Sequence, residues 1–129
     1  MVPIAVIDTE TTGVFPHRHD RVIEIAAVVV RPDGEVLREF ATLVNPGRDI
    51  GRTDIHGITS EDLLHAPAFG DVAGALAEAL DGCVAIAGHN VRFDRGFVSR
   101  EFERIGHPLP ETPSLCTMEL AGGGRLTDC

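Results

Sequence analysis

The stretch "AVIDTETTGV", Ala5 to Val14, begins as the middle of a buried strand and then sets two carboxylates two residues apart, followed by two threonines and a glycine. Side chains at i and i+2 of a strand share a face, so Asp8 and Glu10 are forced to be neighbours. Like charges that close repel, and burying either one unpaired is expensive. A positive group is therefore expected between them.

Around this stretch the elements follow from pattern. "PIAVID" is apolar on both alternating faces, as a central strand covered on both sides reads. "RVIEIAAVVVR", Arg21 to Arg31, continues in that style, and "RPDGEV" signals a turn before a third strand, "VLREFATLV". Short connections between the three predict an antiparallel start to the sheet. "TSEDLLHAP" carries a helix-start pattern, with Thr59 and Asp62 in the capping positions and Pro67 as the stop. Phe69, Val72, Ala73, Leu76 and Leu80 form the apolar side of a second helix, ended by Asp81-Gly82. "CVAIAGH" is a short buried strand. "NVRFDRGFVSREFERIG" opens at an Asn90 cap and aligns Phe93, Phe97, Phe102 and Ile105. The expected fold is α/β: a mixed sheet with helices on its faces.

A chain of 129 residues is the size of one domain and can bury a core unaided. No apolar run spans a bilayer and the N-terminus lacks the order of a signal peptide, which excludes a membrane partner and makes the cytoplasm the default. Three cysteines without C-x-x-C spacing argue against a disulfide framework and a zinc site, so all three are read as plain buried thiols. A net charge of −9 excludes a general polyanion binder; nucleic acid would have to be held locally, with cations assisting. Every basic residue is arginine, which suits phosphate forks.

Each acid taken singly has an ordinary explanation: Asp8 as a strand end, Glu10 as surface, Asp94 as a first-turn carboxylate favoured by the helix dipole. Together they say more, because "GHNVRFD" puts Asp94 just beyond a second buried strand. Three carboxylates at neighbouring strand ends make the oxygen-rich cage that hard divalent cations prefer, and magnesium completes its shell with water and substrate phosphate. In two-metal sites the ions lie about 3.5–4 Å apart and clamp both oxygens of an in-line displacement. Other acids and histidines carry less. Glu24 is a buried-acid candidate that Arg38 across the hairpin could partner. His17 and His19 have metal spacing but lack a third ligand and read as loop, and His65 and His107 read as surface.

"DTETTG", Asp8 to Gly13, and "GHNVRFD", Gly88 to Asp94, resemble the first two motifs of the DEDD exonucleases of the histidine type, a group that includes the proofreading subunit of bacterial replicative DNA polymerase. "IHGIT", Ile55 to Thr59, matches a loop common in that family. The resemblance implies a ribonuclease H-like fold and 3′-to-5′ hydrolysis of DNA, releasing nucleoside monophosphates with two magnesium or manganese ions. It implies Asp8, Glu10 and Asp94 as catalytic metal ligands and Thr11, Thr12 and His56 around the terminal nucleotide. Asn90 is either a substrate contact or a helix cap. The implied partners are single-stranded 3′ ends of DNA or RNA and a polymerase subunit.

The family's third motif is a general-base histidine with a carboxylate five positions later. The only H-x-x-x-x-D here is His89 to Asp94, inside the second motif, and the chain has no tyrosine to serve the family's other branch. The 129 residues are accordingly read as a single exonuclease-like domain, truncated at its C-terminus, of impaired activity alone and with one sheet face left uncovered. Two alternatives stand beside this reading. An RNA-trimming exoribonuclease would be separated by matched DNA and RNA substrates. A non-catalytic module, binding metal or a polymerase partner, would be separated by metal titration and assay.

Overall fold

The computed structural model describes residues 2–16, 18–48, 57–107, 109 and 112–116. Strand β1 (Ile4–Thr11) runs antiparallel to β2 (Val22–Val30), which runs antiparallel to β3 (Val36–Leu43). After a single capped turn, α1 (Ser60–Leu63), come helix α2 (Phe69–Leu80), strand β4 (Ala85–Gly88), helix α3 (Val91–Arg104) and strand β5 (Ser114–Cys116). Strands β4 and β5 are parallel additions on the far side of β1, giving the order β3-β2-β1-β4-β5. The antiparallel start and later parallel strands are those expected.

Parity explains which face is buried. Ala5, Ile7, Ile25, Ala27 and Val29 point to one side and are buried, and Ile7, Ile25 and Ala27 join Phe69, Leu76, Phe97, Val98 and Phe102 in one cluster. The helices α2 and α3 therefore cover the same face, locked together by an edge-on contact of Phe69 and Phe102 with ring centres 5.3 Å apart. The opposite face is open at β1, where Val6 is 38% exposed and Asp8 is also exposed. A strand covered on both sides was expected from "PIAVID"; among the described residues only one side is covered, because both long helices pack on that side.

The capping box at Thr59 and Asp62 forms as the sequence predicts, each side chain taking the other's backbone N–H. Helix α2 ends at Asp81, followed by Gly82 in the left-handed region that glycine tolerates best. Arg38 does not meet Glu24. Its guanidinium donates to the carbonyls of Ala79 and Asp81, satisfying the C-terminal end of α2. Cys83 is a free thiol as expected, but Cys116 is engaged in a disulfide, so the reading of three plain thiols fails there.

Candidate active site

β4 pairs with β1 only through Ile4, Ala5 and Val6 and then stops at Gly88. Past Val6, β1 has no strand on that side among the described residues, and a buried backbone N–H there needs another acceptor. Asp94 supplies it. Its Oδ1 accepts the Thr9 backbone N–H at 3.0 Å and the Thr9 hydroxyl at 2.5 Å. Thr9 lies on the covered face between Asp8 and Glu10, which explains a polar side chain at a buried position.

The chain between β4 and α3 is shaped to bring Asp94 there. A Cβ at Gly88 would meet the Ile7 carbonyl oxygen at 2.9 Å, so only glycine lets the end of β4 approach β1 this closely. Asn90 then turns the chain in the left-handed conformation, at φ 61°. It occupies the cap position of α3 but its side chain makes no cap hydrogen bond, which corrects the capping alternative: it is the backbone conformation that asparagine serves here. Its side chain is exposed. Asp94 follows in the first helical turn, where the helix dipole favours a carboxylate.

Asp8 and Glu10 share the open face of β1, Asp8 exposed and Glu10 half-buried. Glu24 stands directly opposite Glu10 on β2, a third carboxylate on that face. Burial first, and the nearby charge of Asp8 after it, raise the Asp94 carboxyl above the usual carboxylate value, while the two Thr9 hydrogen bonds oppose the rise. No arginine or histidine among the described residues pairs with Asp8 or Asp94. The structure thus brings Asp8, Glu10 and Asp94 to one end of the central strand. Among the described residues, however, no three His, Cys, Asp or Glu side chains are gathered closely enough to cage a metal, since Asp94 is turned onto Thr9. As a donor set the three are all hard oxygen, which fits a magnesium- or manganese-type ion.

The threonines after Glu10 are tied into their own loop. Thr11 donates to the Gly13 carbonyl at 2.6 Å. Thr12 is buried, donates to Asp20 Oδ1 at 2.9 Å and accepts the Arg21 N–H. Gly13 leaves room for Asp20, whose carboxylate would lie 2.4 Å from a Cβ placed there. His56, expected near a nucleotide pocket, lies outside the described residues, as does His17.

Sequence reasoning missed a second buried carboxylate. Glu101, fully buried, takes Arg21 as a fork, with Nε 2.9 Å from both of its oxygens and Nη2 2.7 Å from Oε1, and also accepts the Val22 N–H at 2.9 Å. This pins the middle of α3 to the start of β2. The signal was present as a seven-residue interval from Asp94 on one helix face, but Arg21 lies 80 residues away in the chain.

An exonuclease family model, RNase_T, matches residues 5–124. The chain is 37% identical over 118 residues to the 3′-5′ exonuclease DinG of Bacillus subtilis, covering 90% of this chain and 12% of that protein. It is 42% identical over 122 residues to a DNA polymerase III subunit epsilon-like protein of Rhodobacter capsulatus (90% and 17%). With DNA polymerase III subunit epsilon of Buchnera aphidicola it shares 36% identity over 110 residues (81% and 46%). The chain thus spans less than half the length of each of these relatives. The structure superposes on E. coli Exonuclease I, solved with a dT13 oligonucleotide, with a TM-score of 0.83 at 18% identity, over 95% of this chain and 29% of that one. The likeness shows a ribonuclease H-like fold.

Proposed function

We propose, since the chain belongs to the RNase_T exonuclease family, that it carries the catalytic carboxylates of a metal-dependent 3′-to-5′ exonuclease acting on single-stranded DNA ends and releasing nucleoside monophosphates. The observation that carries this reading is the buried Asp94 carboxylate, brought beside Asp8 at the end of β1 with no cation among the described residues to balance either. Asp8, Glu10 and Asp94 are the residues that would hold two magnesium or manganese ions. Those ions would supply an activated water and a clamp on the attacking and leaving oxygens.

The chain's own residues do the positioning. Thr9 fixes the rotamer of Asp94 through two hydrogen bonds to one oxygen. The Arg21–Glu101 fork sets where α3 lies along the sheet, and so where Asp94 falls relative to Asp8. Thr11, Thr12, His56 and Asn90 are assigned to the terminal nucleotide, Thr11 and Thr12 through the shape of the loop that their hydroxyls stabilise. Polymerase association is assigned by the likeness to the epsilon subunits.

The general base and fourth carboxylate of the histidine-type family do not occur in these 129 residues at the H-x-x-x-x-D spacing outside the second motif. A positioned base contributes about 10²–10⁴-fold, so slow hydrolysis by this chain alone is part of the proposal. Digestion of 3′-labelled single-stranded DNA with manganese, beside Asp8→Ala, tests it. Slow release of mononucleotides that vanishes in Asp8→Ala is expected. Release that survives Asp8→Ala, or products labelled as internal fragments, would contradict the site. Matched RNA, cleaved much faster than DNA, would move the substrate assignment to RNA.

A further inference from the structure

Arg18, Arg21, Arg48 and Arg104 converge on one open cleft of about 520 Å³, completed by His19, Pro46 and Gly47. In a protein of net charge −9 this is a concentration of positive charge. Among the described residues the carboxylates ion-paired with this group are Glu101, fully buried beneath it, and Asp20, which meets Arg48 at 3.4 Å. Among the described residues these four guanidinium groups share two acids, and Arg48 is engaged elsewhere as well.

The crowding is visible at Arg104. Its Nη1 lies 3.5 Å from Glu101 and is buried without a hydrogen-bond partner, because Arg21 already occupies Glu101 as a fork. Burial lowers its readiness to stay charged, Glu101 opposes this, and Arg21 and Arg100 add to it by repulsion. An anion in the cleft would relieve that repulsion.

Position argues which anion. Arg21 is bonded to Thr12, two residues after Glu10, and Pro46 to Arg48 follow the end of β3, so the cleft opens at the end of the sheet that carries Asp8, Glu10 and Asp94. Along α3, seven residues separate Asp94 from Glu101 and ten separate it from Arg104, or about 10–15 Å at 1.5 Å per residue. That distance spans the first few nucleotides of a strand held by its 3′ end at the carboxylates. We infer that the Arg18–Arg21–Arg48–Arg104 cleft holds backbone phosphates of the substrate strand a few nucleotides upstream of its 3′ end. This rests on the exonuclease reading and adds to it a sequence-independent grip outside the carboxylates.

The test is fluorescence anisotropy of a labelled oligothymidylate at low ionic strength in EDTA, where the carboxylates hold no metal. Arg18→Glu/Arg48→Glu changes exposed side chains, whereas Arg31→Glu, in the β2–β3 turn, is a single reversal elsewhere, to be set against Arg18→Glu alone. The double variant is expected to weaken binding at least about tenfold and to flatten the slope of log K against log salt by about 1–1.5, two phosphate contacts' worth. Arg18→Glu alone, which disturbs only its stacking over Phe15, is expected to weaken binding a few-fold if the double variant misfolds. Equal weakening by Arg31→Glu, no change in the cleft variants, or inorganic phosphate competing as strongly as an unlabelled strand would each overturn the assignment. Asp8→Ala should not weaken this metal-free binding while it abolishes nucleotide release, so failure of the cleft and failure of the catalytic reading are told apart.

Discussion

Asp94 and Glu101 are both buried carboxylates on the same stripe of α3, two helical turns apart, yet they are provided for differently. Glu101 has a bidentate arginine, a backbone N–H and a second arginine within 3.5 Å. Among the described residues Asp94 has the two Thr9 donors and a backbone N–H in place of a cation, and the charge that acts on it is Asp8, of the same sign. Burying a carboxylate is costly unless a positive partner compensates. Glu101 is compensated by the protein and serves the fold. Asp94 is held in place by neutral donors with its charge unbalanced, which is what a site for an exogenous cation requires.

The sharpest break of this comparison is at Glu101. Glu101→Ala leaves Arg21 and Arg104 without their buried acid and Val22 without its acceptor, and should cost about 3–5 kcal/mol in urea unfolding. Asp94→Asn should behave in the opposite way. An amide oxygen can accept both Thr9 hydrogen bonds, so metal-free stability should be unchanged or higher, while stabilisation by metal disappears; the intact site should gain about 2.7 kcal/mol at a hundredfold excess over Kd. Thr9→Val removes one of the two donors to Asp94 and should cost about 1–2 kcal/mol, with a weaker metal-induced shift in melting temperature. Arg31→Ala, which breaks an exposed i,i+4 pair with Glu35, should change stability by less than about 0.5 kcal/mol. Losses at Thr9 and Arg31 of equal size would show that the Asp94 anchor is no tighter than surface pairing.

Local rules explain what was legible in the chain. Parity placed Asp8 and Glu10 together, the Thr59 capping box located α1, and the apolar stripe from Phe69 to Leu80 delimited α2. Each of these depends on residues a few positions apart. An uncovered sheet face was expected from the missing third motif, but parity could not supply which face the helices would cover, so the apolar pattern of "PIAVID" did not reveal that Val6 and Asp8 lie on the open side. Long-range polar partners were equally hidden. Arg38 looked like a cross-hairpin partner for Glu24, but the register sets it opposite Val29 and Glu24 opposite Leu43, and Arg38 instead meets two carbonyls at the end of α2. Thr9 looked like a spacer between two acids, and its role as the anchor of Asp94 depends on β4 ending early. Asn90 was legible as a helix boundary but not as a left-handed turn without a cap bond.

The most direct test is a manganese titration followed by thermal unfolding, run side by side on the native sequence, Asp94→Asn and Asp8→Ala. The account predicts a saturable rise in melting temperature for the native protein, none for either variant, and a metal-free Asp94→Asn at least as stable as the native chain. An equal rise in all three, or a metal-free Asp94→Asn that is strongly destabilised, would show that Asp94 is a structural carboxylate like Glu101 and not a seat for a catalytic ion.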